Sequence, residues 1–214
     1  MASMVTPPAL VWYVSYGSNM CADRLACYLA GGVPTGGSRG YAGCRDRRPP
    51  RRTTRYEIAG GVYFATESAV WGGGRAFYDP QLPGTAAARA YLITSGQFAD
   101  IASQEMYRAI GTDIDLTAVL ATGRVELGPG RYETLLHLGD LSGYPLLTFT
   151  APWHACDVRP TAPSVPYLRM LAAGLRETYG WSNQRIGRYL AGLPGARGHW
   201  TAADIAALAA RHPE

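Results

Sequence analysis

Lysine is absent from this 214-residue chain, so all 20 of its basic residues are arginines, and the formal net charge is +4. Catalysis that requires a lysine amine, such as Schiff-base formation or a P-loop phosphate contact, is therefore excluded. Cysteine and histidine are scarce, with four of each, and neither a CxxC pair nor a histidine cluster occurs. This pattern indicates neither a disulfide scaffold nor a zinc site, and we expect free cysteines and no bound metal.

Long apolar runs are also missing. No stretch reaches the length of a membrane span, and the first ten residues lack the basic start and cleavage pattern of a signal peptide. We therefore expect a soluble, cytoplasmic protein with no membrane partner. A hydrophobic content of 47% is enough to form a sizeable core. The sequence divides into an N-terminal tail (1–9), a main domain (10–180) and a C-terminal helical extension (181–214).

Short segments rich in β-branched and aromatic residues predict strands, and glycine-rich turns such as WGGGR and LGPGR separate several of them. Helices are predicted where a capping residue precedes a periodic apolar pattern. Many short strands, with helices between them and more helices near the C-terminus, indicate an α+β fold. We expect a small, strongly curved mixed β-sheet or barrel with peripheral helices. The predicted strands are 10–15, 56–65, 74–78, 87–93, 119–127, 132–137 and 144–150, and the predicted helices are 20–29, 97–110, 165–179, 183–190 and 202–211.

One segment differs in composition from the rest. Residues 36–55, GGSRGYAGCRDRRPPRRTTR, contain seven arginines and little apolar content, which predicts a surface loop over 39–55. Such a run could bind nucleic acid or an acidic partner. A solvated loop is favoured, because the run RDRRPPRRTTR has two prolines and no interleaved aromatic residues, so nucleic-acid binding is kept only as an alternative.

A carboxylate occurs in the apolar pattern of the predicted helix GQFADIASQEMYRAIG. Phe98, Ile101 and Ala109 share one helical face, and a step of four from Ile101 places Glu105 on that face. Burial raises the pKa of a carboxyl group, which suits proton exchange near neutral pH. The alternative is that Glu105 lies at the edge of the stripe and pairs with Arg108 or another arginine.

The stretch VWYVSYGSNMCADRL runs from a strand pattern through Tyr16-Gly17-Ser18-Asn19 into a helix pattern. A glycine at this junction permits positive φ or close approach of a ligand, and a helix start offers unpaired N–H groups to an anion or a developing oxyanion. The other interpretation is a tight turn in which Ser18 or Asn19 caps the helix. The four residues alone favour the capped turn.

Three motifs in order resemble the γ-glutamylcyclotransferase family. They are WYVSYGSNM near the N-terminus, FADIASQEMYRAIG roughly ninety residues later, and PSVPYLRMLAAGLRETYG at the start of a late helix, and together they span residues 13–179. The resemblance implies an enzyme that cyclises a γ-glutamyl group to 5-oxoproline and releases an amine, without a cofactor or metal. The implied partner is a small γ-glutamyl amine or peptide. A homodimer through the alanine-rich C-terminal helix stays open.

The resemblance also implies roles for individual residues. Glu105 would be the general acid and base, and the loop Tyr16-Gly17-Ser18 would bind the γ-glutamyl moiety. Asn19 would steady the turn, and the tyrosine that follows PSVP would contact the substrate. The implied substrate-binding residues are Tyr13, Val14, Ser15, Tyr16, Gly17, Ser18, Asn19 and Tyr167.

This sequence departs from the family pattern around the implied catalytic residue. Met106 follows Glu105 where the family usually has glycine, and Ala102 and Ser103 stand where the family has acidic residues. The departures leave two further hypotheses open: the same fold acting on a different amide, or a small-molecule binder without turnover.

Overall fold

The computed structural model describes residues 8–35 and 39–210. Residues 1–7 of the predicted tail, residues 36–38 of the arginine-rich segment, and residues 211–214, including the predicted end of the last helix, lie outside the described residues. Within the described part the chain forms eight strands and six helices, together with two 3₁₀ turns, Ser18–Met20 and Ala155–Asp157. The strands are β1 (Leu10–Ser15), β2 (Arg52–Ala59), β3 (Gly61–Glu67), β4 (Gly74–Asp79), β5 (Thr85–Thr94), β6 (Arg124–Glu126), β7 (Thr134–Leu141) and β8 (Tyr144–Thr150), and the helices are α1 (Ala22–Ala30), α2 (Ser95–Glu105), α3 (Thr117–Thr122), α4 (Val165–Tyr179), α5 (Asn183–Gly192) and α6 (Ala202–Ala210).

Six strands form one mixed sheet in the order β2-β5-β1-β8-β7-β6. The central strand β1 pairs antiparallel with β5 and parallel with β8. The predicted α+β class and mixed sheet are confirmed, but the sheet is not closed into a barrel. Strands β3 and β4 pair with each other as a separate two-stranded unit instead of joining the two edges.

Side chains of β1 alternate between the two faces of the sheet, as a period of two requires. Trp12 and Val14 lie in one apolar cluster with residues of α4, α5 and α6, whereas Val11 and Tyr13 lie in a second cluster with residues of α1 and α2. The central strand is therefore covered by helices on both faces. Because the C-terminal segment contributes Ile186 to the first cluster, it shares a core with β1.

Two predicted strands were wrong in kind or extent. Residues 56–65 are not one strand, because Gly60 adopts φ 115° and turns the chain from β2 into β3. A Cβ at that position would lie 2.7 Å from the Asp79 carbonyl oxygen, so glycine is required there. Residues 119–127 contain the end of α3 and the short β6. Val119 is buried in the second cluster, and this packing overrides the strand preference of the segment.

Helix α2 begins and ends earlier than its predicted range. Thr94 is its N-cap and forms a capping box with Gln97. The helix ends at Glu105 instead of residue 110, with Met106 at the C-cap. Tyr107 then adopts the left-handed conformation, with φ 58°, and turns the chain out of the helix axis. The end of α2 thus falls at the residue to which the sequence assigned chemistry.

The arginine-rich segment is held against the body of the protein, and β2 begins within it at Arg52. The Arg45 guanidinium lies 3.0 Å from the Asp100 carboxylate and 2.6 Å from that of Asp113. Cys44 is buried beside it. These contacts fasten the segment to α2. In the described part of the chain, no helix combines the length and the apolar character needed to cross a membrane.

Candidate functional site

The site is built where β1 ends. After Ser15 the chain passes through Tyr16 and Gly17 into the 3₁₀ turn Ser18–Met20, and α1 starts at Ala22. Neither Ser18 nor Asn19 caps α1, so that interpretation of the junction was wrong: Cys21 occupies the N-cap and its side chain makes no capping hydrogen bond. The Glu177 carboxylate of α4 instead accepts from the Ala22 N–H at 2.9 Å. Gly17 has φ −114°, so the turn does not depend on the left-handed conformation. Its missing side chain instead leaves space facing the Tyr167 hydroxyl, 3.5 Å from an added Cβ.

We call the cavity at this turn the junction pocket; it opens to solvent and measures about 300 Å³ with that open part included. Every residue that the resemblance implied lines it except Val14. The side chain of Val14 is fully buried on the opposite face of β1, beside Trp12. The junction pocket is lined by Tyr13, Ser15, Tyr16, Gly17, Ser18, Asn19, Ala76, Glu105, Tyr132, Phe149 and Tyr167.

Glu105 is the one carboxylate among the residues that line this pocket. It is partly exposed and is the last residue of α2, which agrees with the edge-of-stripe interpretation. Its Oε1 accepts hydrogen bonds from the Tyr28 hydroxyl at 2.5 Å and from Asn19 Nδ2 at 3.3 Å. It does not pair with Arg108, which instead binds Glu133 at 2.6 Å. Both bonds fall on one carboxylate oxygen, so neither uses Oε2.

Asn19 contributes an acceptor to the pocket. Its Nδ2 donates to the Tyr13 hydroxyl at 3.1 Å as well as to Glu105. A carboxylate only accepts hydrogen bonds, so the nitrogen of the amide must face Glu105, which fixes the position of Oδ1. That Oδ1 is buried and has no partner within the described part of the chain. A buried acceptor beside a carboxylate is suited to an ammonium group, which only donates hydrogen bonds.

Four tyrosine hydroxyls shape the rest of the wall. The Tyr167 oxygen accepts from Ala76 N at 3.2 Å, and Tyr132 donates to the Ala76 carbonyl oxygen at 2.8 Å. Tyr16 donates to the Phe149 carbonyl oxygen at 2.8 Å. Burial raises the pKa of Tyr167 to about 12, and it also raises the pKa of Tyr13. These phenols therefore keep their protons at neutral pH and act as neutral hydrogen-bonding groups.

A buried cation lies behind Glu105. The Arg24 guanidinium donates through Nη2 to the Tyr28 hydroxyl at 3.0 Å and to the Tyr41 hydroxyl at 2.6 Å. Because burial and the neighbouring Glu105 raise the pKa of Tyr28, its hydroxyl stays protonated and donates to Glu105. Arg24, Tyr28 and Glu105 thus form a continuous chain of hydrogen bonds.

Several pocket residues were missed in the sequence. Arg24 and Tyr28 stand four residues apart directly after the junction, and this spacing places two side chains on one helical face, so a signal was present. Tyr132, Phe149 and Ala76 carry no local signal. Strand pairing brings them to the pocket from distant segments. Tyr132 has φ 63°, and Tyr107, two residues after Glu105, has φ 58°. Positive values of φ are strained for a tyrosine.

The molecule is thus an α+β protein with a tyrosine-lined pocket at the end of its central strand, and the pocket lining holds one carboxylate, Glu105. No protein-family model matches the chain. "Histone deacetylase 5" of Arabidopsis thaliana is 32% identical over 200 residues, which cover 84% of this chain and 30% of that protein. The chain therefore spans about 30% of the length of the curated relative that it matches.

A solved structure shares the fold. An uncharacterised protein from Homo sapiens has a TM-score of 0.52 and 13% sequence identity, with 95% of this chain and 100% of that chain covered. This likeness agrees with the fold class predicted from the sequence, and at 13% identity it concerns the fold alone. A γ-glutamyl cyclotransferase is also among the solved structures that this chain resembles, with a TM-score of 0.49, 12% identity, and 94% and 98% coverage.

Proposed function

We propose that this protein cyclises a γ-glutamyl group to 5-oxoproline and releases the attached amine. One observation carries the proposal: the Tyr16-Gly17-Ser18 loop, Glu105 and Tyr167 come from three distant segments and line one pocket. The ordered motifs that resemble the γ-glutamylcyclotransferase family assign these same residues to substrate and proton transfer.

The reaction is an intramolecular aminolysis. The α-nitrogen attacks the γ-carbonyl carbon, a new C–N bond closes the five-membered ring, and the original amide C–N bond breaks. The α-ammonium gives up two protons, and the leaving nitrogen gains two when it departs as an ammonium ion. Attacker and target belong to one molecule, so the protein contributes mainly by holding them in a reactive geometry. Glu105 would carry protons from the α-nitrogen to the leaving nitrogen.

The pocket offers partners for each part of the γ-glutamyl group. Asn19 Oδ1 and the Glu105 carboxylate would receive the α-ammonium. The hydrogen bonds of the turn, Met20 N to Gly17 O and Cys21 N to Ser18 O, use the carbonyl groups of Gly17 and Ser18 and not their N–H groups. Those N–H groups would hold the α-carboxylate or the oxyanion that develops on the γ-carbonyl. Loss of one such donor costs on the order of 10²–10³ in rate.

The Glu105→Gln variant tests this assignment, because it keeps the shape of the side chain and removes the base. We expect it to lose about 10²–10⁴ in the rate of 5-oxoproline release, the usual contribution of a general acid or base. The protein would be incubated with a panel of γ-glutamyl amines, and 5-oxoproline would be measured by mass spectrometry. Glu57→Gln, on an exposed position of β2, is the matched control. Normal turnover by a folded Glu105→Gln protein would contradict the mechanism.

The other hypotheses give different results in the same panel. Release of the amine together with free glutamate would indicate hydrolysis of an amide, and binding without any product would indicate a small-molecule binder. The nucleic-acid alternative is weakened because Arg45 and Arg48 of the arginine-rich segment already pair with carboxylates. A cytoplasmic location, a small γ-glutamyl partner and homodimer formation stay predictions.

A further inference from the structure

A buried tyrosine contacts Glu105 from outside the space that a substrate would fill. Tyr28 of α1 is 1% exposed, and its hydroxyl donates to Glu105 Oε1 at 2.5 Å. In the described part of the chain, Tyr28 lines neither the junction pocket nor a second cavity beside it that Glu105 also lines. A substrate in these spaces would contact Glu105 without touching Tyr28. Any effect of Tyr28 on a reaction there must pass through another residue.

The direction of the Tyr28 hydroxyl is fixed by Arg24. A guanidinium only donates hydrogen bonds, so the 3.0 Å contact from Arg24 Nη2 uses the Tyr28 oxygen as its acceptor. The hydroxyl has a single proton, and that proton is then directed at Glu105. Burial, and then the charge of Glu105, raise the pKa of Tyr28, so the phenol keeps its proton at neutral pH.

Tyr28 is itself fixed against the end of α2. The Arg24 guanidinium lies 4.7 Å from the centroid of its ring, and the Tyr41 ring lies 4.2 Å from it. Gln104, the residue before Glu105, donates through Nε2 to the Tyr28 carbonyl oxygen at 3.1 Å. Two successive residues of α2 are therefore hydrogen-bonded to one residue of α1. This double contact sets the position of Glu105 relative to Tyr28.

The single proton of Tyr28 leaves part of the carboxylate available. A guanidinium in direct contact could bind both oxygens of Glu105 at once. The Tyr28 hydroxyl lies between Arg24 and Glu105 and supplies one proton to one oxygen. The bond from Asn19 Nδ2 falls on the same oxygen, Oε1. Neither bond occupies Oε2, so this second oxygen is the one that would exchange protons with a substrate.

We propose that Tyr28 is a positioning residue for Glu105, with its hydroxyl oriented by Arg24. It holds Oε1 against the protein and leaves Oε2 for the substrate. This inference rests on the proposed function, because only there does Glu105 carry protons. A donor to a carboxylate favours the charged form, so without the Tyr28 hydroxyl Glu105 should take up its proton at a higher pH.

Other titratable or charged side chains surround Glu105, and they stay unchanged when Tyr28 is substituted. Tyrosines and arginines titrate well above neutral pH. A change in the acidic limb of a pH profile therefore reports Glu105 and not these groups. They are Tyr13 of β1, Arg24 of α1, Tyr41, Arg75 of β4, Tyr107, Tyr132 and Tyr167 of α4.

Tyr28→Phe removes the hydroxyl and keeps the ring. We expect kcat for 5-oxoproline release to fall about 10- to 100-fold, the range of one charge-assisted hydrogen bond, with little change in KM because Tyr28 does not touch the substrate. The acidic limb of the pH profile of kcat/KM should move to higher pH. Tyr189→Phe is the matched control, since it removes a partly buried hydroxyl bonded to Ala87 N at 3.0 Å, and it should keep wild-type values. An unchanged kcat and acidic limb in folded Tyr28→Phe would refute the proposal.

A second substitution at the same position keeps the hydroxyl and tests the opposite direction. Tyr28→3-fluorotyrosine adds one small atom to the ring and makes the hydroxyl more acidic, and so a stronger donor. We expect the acidic limb to move to lower pH. If Tyr28→Phe does not fold, this substitution decides the question, and a limb that stays in place or moves to higher pH would overturn the proposal.

Failure of the proposed function is recognised separately. If the wild type releases no 5-oxoproline from any γ-glutamyl amine, the cyclotransferase proposal falls. The role of Tyr28 is then tested by NMR on protein labelled with ¹³C at the glutamate side-chain carboxyl carbon, where the Glu105 signal is the one missing from Glu105→Gln. A higher titration midpoint of that signal in Tyr28→Phe, or a lower one in Tyr28→3-fluorotyrosine, would support the contact. An unchanged midpoint would overturn it.

Discussion

Gly17→Ala tests whether the substrate lies against the loop at the end of β1. Gly17 has φ −114° and ψ −149°, and the new Cβ would meet the Tyr167 hydroxyl oxygen at 3.5 Å and Ala76 Cβ at 3.8 Å. Both are ordinary contact distances, so the empty site accepts the methyl group. The unfolded chain loses glycine's freedom, which stabilises the fold by about 0.4–1 kcal/mol.

A substrate in the junction pocket would meet the same methyl group. Forcing an extra carbon into a filled space costs about 1–3 kcal/mol, which corresponds to about 5- to 150-fold in affinity. The backbone N–H of residue 17 is unchanged, so the variant loses affinity for the substrate only through crowding by the methyl group. We therefore expect Gly17→Ala to remain folded but to have a lower kcat/KM for a γ-glutamyl substrate.

Gly96→Ala is the matched control. Gly96 lies in the first turn of α2, outside the junction pocket, and a Cβ there has its closest neighbour, Arg45 Nη2, at 3.7 Å. It gains the same stabilisation from the unfolded chain and should keep full activity. Thermal unfolding and 5-oxoproline release would be measured for both variants. An unchanged kcat/KM in Gly17→Ala would refute the placement of the substrate against the loop.

Two further predictions concern stability. Arg45→Ala leaves the Asp100 carboxylate, whose side chain is 1% exposed, without its guanidinium, and we expect a loss of about 1–3 kcal/mol in urea unfolding, with Asp113→Asn as a milder control. Burial raises the pKa of Asp79, but hydrogen bonds, first that from the Ala155 N–H, outweigh this and lower it below its ordinary value. The contribution of Asp79 to the free energy of unfolding is therefore full above the unfolded pKa of about 3.9, and it is lost as pH falls through the lower folded value. Asp79→Asn removes this titrating group. In urea unfolding at falling pH, the stability of the variant should therefore depend less on acid than that of the wild type.

Short sequence patterns predicted the strands and helices whose formation depends on neighbouring residues in the chain. Strands β1 and β8 and helix α4 have the predicted bounds, because short runs rich in aliphatic, aromatic and β-branched residues mark the strands and Ser164 caps the helix by accepting from Tyr167 N. Residues 119–127 were misjudged, since threonine, valine and leucine suit a strand or a helix and the packing of Val119 decides between them. Closure of the sheet depends on which strands pair, and no local pattern contains that information.

The residues of the junction pocket also fall into two groups, those that sequence motifs predicted and those that they did not. The loop, Glu105 and Tyr167 were found because they occur in motifs, whereas Tyr132 and Phe149 reach the pocket only through the folding of distant strands. Val14 could have been left out, because alternation along β1 places its side chain on the opposite face from Tyr13.

The length of α2 determines where Glu105 lies in the site. Each residue of an α-helix advances the chain by about 1.5 Å and turns it by about 100°, so the number of residues between Thr94 and Glu105 sets where the carboxylate stands. The left-handed turn falls at Tyr107, one residue after Met106, so Met106 needs no glycine conformation. Ala102 and Ser103 lie buried, where acidic side chains would be costly. The residues at 102, 103 and 106 are therefore compatible with the site, whereas an insertion or deletion of a single residue in α2 would move Glu105 away from the junction pocket.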